Sequence, residues 1–388
     1  MEKNTLERVQ KAIREEGLDG WLFWNFHHRD PLSDEILGLS LTSTNSRPWL
    51  YAVPADGEPI KIVHAIEAGI LDRLPGQKRL YAGRDSYLKE LSPLASKRWG
   101  VHTSPEITVL SYMDAGTAET LTQGGLILIP ALALIQRFKG LLAEQGIQSH
   151  ERAAAHLYQI VDRVWDRVRH AYRNALVLRE GDLRDEILRE FENRSLITDH
   201  PPIVAAGKNA GDPHYDFSDS GKIIERGEVI QLDLWAKERS DSSIYADISW
   251  VGVFADGPQS TVKQAFADLV AAREGALNFI AEELRKSNRP SGAQVDQVTR
   301  DYLIDRGYTG ALRHRTGHGI DTECHGSGVN MDSVEFPDPR LLLEGSCFSL
   351  EPGIYFEDFG LRTEIDVYIH EGQPKVSGGN RQFSLLTC

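Results

Sequence analysis

Five residues in the second half of the chain could share one piece of chemistry. They are Asp233 in Gln-Leu-Asp-Leu-Trp, Asp247 in Tyr-Ala-Asp-Ile-Ser-Trp, His318 in His-Arg-Thr-Gly-His-Gly-Ile-Asp, Glu351 in Ser-Leu-Glu-Pro-Gly-Ile-Tyr and Glu364 in Leu-Arg-Thr-Glu-Ile-Asp. Carboxylates joined by one imidazole form an oxygen-rich donor set. Such a set suits Mn²⁺, Co²⁺ or Zn²⁺, and a two-metal hydrolytic centre in particular. An Asp at the end of an apolar run is, alone, more often a turn or cap residue. The order of the five and the setting of each carry the signal together.

That order, with Gly-His-Gly and Glu-Pro-Gly-Ile-Tyr, resembles the pita-bread metallopeptidases, and among them the branch of Xaa-Pro dipeptidase (prolidase) and aminopeptidase P. The motifs that carry the resemblance run from His214 to Glu364. The front of the chain resembles that branch only in length and α/β character. The resemblance implies an α/β N-terminal domain followed by an α+β pita-bread catalytic domain. It implies two divalent metal ions per chain, Mn²⁺ ahead of Co²⁺ or Zn²⁺, on Asp233, Asp247, His318, Glu351 and Glu364. Glu351 would also act as general acid/base on the attacking water, and Glu364 would bridge the metals. His214 and His314 match substrate-facing positions. His325 matches a residue that moves protons or positions the carbonyl, and Arg362 one that supports the site. The chain has 13 His, so a lone one means little, whereas four in these four slots mean more.

The reaction so implied is hydrolysis of the bond before proline, in Xaa-Pro dipeptides or at the N-terminal Xaa-Pro of short peptides, through a water activated by a dinuclear metal centre. A proline nitrogen in a peptide bond is tertiary and has no hydrogen. Proton delivery to it is required, and the His cluster offers a route. Short proline-containing peptides are therefore the expected partners, with a homodimer as the assembly common in that branch. Methionine aminopeptidase, a metal-dependent lyase and a non-catalytic binding module of the same fold are the alternatives. The last is disfavoured because such modules have lost ligands that are all present here.

Two features depart from the family pattern, the Asp233–Asp247 spacing and Trp250. Asp233 and Asp247 lie 14 residues apart, farther than usual, and Lys237 to Ser243 reads as an enlarged turn containing the rival Asp241. An extended hairpin still lets both side chains reach one face. Trp250 stands where the family commonly has Arg. Cys324 adjoins His325 and reads as a small buried filler, ahead of a ligand or nucleophile.

Positioning these residues needs a rigid scaffold, and the pattern supplies strands for it. At 388 residues the chain suggests two domains, 1–148 and 149–388. In the first, residues 21–24, 50–53 and 60–64 read as strands, and the polar loop Asn25 to Pro31 follows the first at the end from which ligands are commonly reached. In the second, Ser149 opens a long helix to about Leu178 and Asp182 caps the next. Strands follow at 203–206, 228–234 and 244–254, then helices at 258–287 and 291–306, the latter capped by Ser291. Strands at 347–350 and 361–370 place Glu351 just past the end of the first and Glu364 within the second.

Composition narrows the class. A net charge of −14 and a pI near 5.4 argue against a general nucleic-acid binder. Three cysteines without a CxxC pair fit free thiols in a reducing compartment. The charged N-terminus has no apolar segment behind it, and no run approaches the ~18 apolar residues of a membrane helix. A cytoplasmic protein without a membrane partner is the expectation.

Overall fold

In the computed structural model, residues 3–388 are described. The chain divides into two compact units, 1–139 and 140–388. The division falls nine residues before the expected one, at the break between two helices rather than inside the second.

The first unit is built on β1 (Gly20–Asn25), buried along its whole length. Around it lie β2 (Trp49–Pro54), β3 (Ile60–His64), β4 (Gln77–Tyr81), β5 (Arg98–Val101) and β6 (Ile127–Pro130), in the order β4-β3-β2-β1-β5-β6. Only β2 runs against the others. Helices α1 (Lys3–Glu15), α2 (Pro31–Leu37), α3 (Arg84–Leu91), α4 (Ala115–Gln123) and α5 (Leu132–Phe138) complete the unit. The polar loop after β1 is largely consumed by structure. Asp30 caps α2 through Ser33 N at 3.1 Å, with Pro31 at the first helical position, where a missing N–H is tolerated. The buried His102 ring accepts from Trp21 Nε1 at 3.1 Å and lies 2.7 Å from Asp30 Oδ2, so its Nδ1 carries the proton. His28 is held by Asp34 at 2.8 Å.

The second unit opens with α6 (Glu144–Arg173) and α7 (Glu180–Asn193). Both start earlier than the sequence suggests. Gly146 does not stop α6, because its bare Cα faces Ile244 closely and belongs inside the helix. Ser149 therefore lies within the first turns and takes Ile244 N at 3.2 Å. Asp182 is not the cap of α7. It sits one turn in, and its carboxylate reaches back to Arg179 N at 2.8 Å. Next come β7 (Leu196–Ile197), β8 (Ile203–Ala206), β9 (Val229–Glu238) and β10 (Ala246–Val253), all joined through β9. Helices α8 (Ser260–Arg285) and α9 (Gly292–Asp305) follow. Ser291 and Gln294 form the reciprocal cap of α9, matching the expected start. The chain ends in β11 (Cys347–Leu350), β12 (Gly353–Tyr355), β13 (Gly360–Arg362), β14 (Ile365–His370) and β15 (Gln373–Val376). The single strand expected at 361–370 is thus two. β13 pairs with β12 and β14 with β11, and Thr363 and Glu364 make the crossing. At that break Glu364 N bonds Ser249 O at 3.2 Å, tying Glu364 to β10.

Side-chain alternation divides the β9–β10 ribbon cleanly. Ile230, Leu232, Leu234 and Ile248 enter the core formed with Leu157, Val161, Val164 and Trp165 of α6. Each such fully buried side chain stabilises by about 1.5–3 kcal/mol. Trp250 lies on this side, edge-on to Tyr158 with centroids 6.0 Å apart. Its place in the family pattern is therefore filled by a packing residue facing away from the opposite, polar face.

Candidate metal centre

The opposite face of the ribbon carries Gln231, Asp233, Trp235, Asp247 and Ser249. Ser249 pairs directly with Asp233, and Asp247 pairs with Trp235. The two Asp are thus diagonal neighbours on one face despite the long turn, and Asp241 stays exposed in that turn. His318 arrives between two glycines that admit no side chain. A Cβ on Gly317 would meet Ser349 O at 2.0 Å, and one on Gly319 would meet Gly328 C at 2.4 Å. This close backbone approach lets isolated bridges to Met331 and Phe348 clamp the residue on both sides. Glu351 follows the end of β11, and Glu364 sits in the β13–β14 break.

These elements converge on a cavity of about 90 Å³ lined by Asp233, Asp247, His318, Glu351, Arg362 and Glu364. Donor atoms of Asp233, Asp247 and Glu364 lie within 4.8 Å of one another, as do those of His318, Glu351 and Glu364. His318 Nε2 is 3.6 Å from Asp247 Oδ2 and 3.5 Å from Glu351 Oε1. Its Nδ1 faces Gly319 O at 3.4 Å. With the Nδ1 proton directed there, the Nε2 lone pair is free for a ligand. Burial, with His325 and Arg315 nearby, lowers the His318 pKa well below the ordinary value and keeps the ring neutral.

The carboxylates are poorly compensated. Burial first, then the charges of Asp233, Asp366 and Glu351, raises the Asp247 pKa well above the usual range. Burial, Asp247 and Glu351 do the same to Glu364. Glu351 is pushed up to about 7, mainly by burial, with Arg362 pulling the other way. Asp247 Oδ1 and Glu364 Oε1 are buried without a hydrogen-bond partner. Unpartnered buried oxygens in a ring of like charges are what a divalent cation satisfies, and the donor set fits one chemically.

Several residues not singled out as site residues in the sequence hold this arrangement. The Ser249 hydroxyl lies 2.8 Å from Asp233 Oδ1 and 2.9 Å from Glu364 Oε2, with one proton for two carboxylates, and it accepts from Arg362 Nε at 3.0 Å. Asp366 accepts the backbone N–H of Asp247 at 2.7 Å. Tyr355 OH joins Arg362 at 3.1 Å to His314 Nε2 at 2.8 Å. Cys324 Sγ lies 3.1 Å from Asp247 Oδ2. Ser249 follows Asp247 by two and Asp366 follows Glu364 by two. Same-face spacing on a strand could have flagged both.

The remaining expected residues divide. Arg362 is buried and ion-paired with Asp233. His214 and His325 are exposed at the cavity wall, and the His325 ring stands 4.3 Å from that of His318. His314 is not part of that wall. It lies behind, linked through Tyr355, and burial with the Arg362 charge lowers its pKa to about 3.

Comparison with known proteins fits this geometry. The pattern of metallopeptidase family M24 matches residues 149–371. The Xaa-Pro dipeptidase of Lactobacillus delbrueckii subsp. lactis is 29% identical over 195 residues, 50% of this chain and 49% of that one. The chain thus spans about half the length of this curated relative. Among solved structures, dipeptidase PepE from Mycobacterium ulcerans superposes with a TM-score of 0.70 at 23% identity, covering 99% of this chain and 97% of the other. The N-terminal domain of the FACT complex subunit SPT16 from chickpea also reaches 0.70, at 14% identity, over 98% and 96% of the two chains. At these identities the structural likeness shows the fold, an α/β unit followed by a pita-bread α+β unit, and that fold extends to a protein not named as a peptidase. The family implies divalent metal ions, and the clusters described above are candidate sites for them. The length of the family match, resting on the segment that holds His214, Asp233, Asp247, His318, Glu351 and Glu364, establishes that the chain belongs to metallopeptidase family M24.

Proposed function

We propose that this protein is a metal-dependent exopeptidase that hydrolyses the bond before proline in short peptides. The observation that carries the reading is the convergence of Asp233, Asp247, His318, Glu351 and Glu364 on one cavity with two orphaned carboxylate oxygens. Asp233, Asp247, His318, Glu351 and Glu364 would hold two divalent ions, which when bound would supply an acidified water and polarise the scissile carbonyl.

The chain's own groups divide the rest of the work. Glu351 takes the proton of the attacking water and returns it to the leaving nitrogen, which for proline cannot leave without one. Ser349 Oγ, 3.2 Å from Glu351 Oε1, sets the orientation of that carboxylate. His325 and His214, at the mouth, donate to the substrate carbonyl and its developing oxyanion. Arg362 balances Asp233, and the His314–Tyr355 pair holds the guanidinium in place. The family resemblance further supports a homodimer.

The test is a panel of Xaa-Pro dipeptides, Xaa-Pro-Yaa tripeptides and matched peptides without proline, assayed with added Mn²⁺, Co²⁺ or Zn²⁺ and then with excess chelator. Cleavage confined to the bond before proline and abolished by chelation is expected. Full activity in metal-stripped protein rejects the reading, and cleavage of N-terminal Met peptides alone moves it to a methionine aminopeptidase.

A further inference from the structure

We propose that Cys324 is itself a ligand of this centre, so that the ion beside Asp247 and His318 is held by a thiolate, a carboxylate and an imidazole. The inference rests on the reading that the cavity holds divalent ions, and it changes which ions. A thiolate is a soft donor, and adding one to an oxygen-rich set shifts preference from Mn²⁺ toward Zn²⁺ or Co²⁺. This reverses the order of metals that the family resemblance implies.

Position is the first argument. Cys324 is 4% exposed and lines the cavity. Its Sγ and donor atoms of Asp247 and His318 all lie within 4.8 Å of one another. The second argument is the state of Asp247. Asp247, 5% exposed, keeps its Oδ1 buried with no partner, while Oδ2 has the sulfur at 3.1 Å. A thiol is a weak donor, poor compensation for a buried carboxylate in the company of three others. A cation shared by the sulfur and that carboxylate satisfies both.

The loop that delivers Cys324 is built to hold it. Asp321 Oδ1 accepts Glu323 N at 2.9 Å and Oδ2 accepts Ser327 N at 2.8 Å, closing a tight turn. Within that turn Cys324 is buried beside Ile244, Tyr245 and Ile320, while the next residue, His325, is exposed at the mouth. On binding, the thiol proton leaves to water and a sulfur–metal bond forms, with no change of oxidation state. The other cysteines have different settings. Cys347 Sγ lies 3.6 Å from His150 Nε2, and Cys388 Sγ donates to Val253 O at 3.6 Å.

Cobalt reports the bond directly. Full-length protein loaded with Co²⁺ is expected to show a near-ultraviolet thiolate-to-cobalt charge-transfer absorption, lost in Cys324→Ser and Cys324→Ala and retained in Cys347→Ala. Competition titrations should show Zn²⁺ affinity falling in Cys324→Ser by at least the roughly 10- to 100-fold that loss of an outer-shell partner costs, with Mn²⁺ affinity nearly unchanged. Wild-type protein that binds Co²⁺ without the absorption overturns the thiolate ligand and leaves the metal reading intact. Wild-type protein that binds neither Co²⁺ nor Mn²⁺ overturns the metal reading. The absorption is read on the wild-type chain, so the outcome does not depend on whether a variant folds.

Discussion

Three of the four site histidines look alike in sequence, each beside a polar or glycine neighbour, yet the structure separates them by what each ring nitrogen faces. His318 has Nε2 directed at two carboxylates and Nδ1 at a backbone carbonyl. His314 hydrogen-bonds Tyr355 behind the cavity wall, and His325 stands at the mouth. The expected consequences differ. His318→Ala should lower metal occupancy, because a direct bond to the ion is lost. His325→Ala should keep the metal and reduce turnover by about 10² to 10⁴, the usual cost of lost acid–base or oxyanion help, whereas His314→Ala should keep the metal and lower turnover less, through a loosened Arg362. Metal analysis and one peptide assay on the same samples separate the cases. Near wild-type turnover in both latter variants would remove those residues from the reaction.

At the scale of elements, the site depends on the β9–β10 ribbon being held flat against α6. Trp165 is one of the large buried side chains in that contact. It is 1% exposed, donates from Nε1 to Thr387 O at 3.0 Å, and stacks on Gly252, where a Cβ would meet its ring at 2.2 Å. Its loss leaves a cavity under β10, the strand that carries Asp247 and Ser249. Trp165→Ala should therefore cost about 3–5 kcal/mol in the urea unfolding of the chain, read from the transition midpoint at constant slope. A loss below about 1 kcal/mol would mean that the ribbon collapses onto the gap and that other contacts position the strand.

For the whole molecule, the proposed assembly is the open matter that sequence resemblance raises most directly. The first unit carries none of the five proposed ligands, and its sheet has its own buried core. If a homodimer is the working form, sedimentation of the full chain should give twice the 43.4 kDa of one copy, and dilution to monomer should lower peptide turnover. A monomer with full activity on dipeptides would reject that proposal. No helix among the described residues is long and apolar enough to cross a membrane.

Sequence alone determined the parts that rest on local rules. Glycines on both sides of His318, the Ser291–Gln294 cap and the alternation along β9 and β10 are each set by neighbours a few residues away, and each reads directly from residue type. The polar face shared by Asp233 and Asp247 follows from the same alternation. Tertiary structure alone decided what depends on distant partners. The start of α6 was hidden because Gly146 looks like a stop until Ile244 is seen against it. Splitting 361–370 required knowing that β12 and β11 lie on successive stretches of it. Trp250 acquired a reason only when α6 was placed beneath it. Cys324 reads as a filler in one dimension, because a thiol's role is set by its neighbours in space, and the carboxylate it touches, on Asp247, lies 77 residues away along the chain.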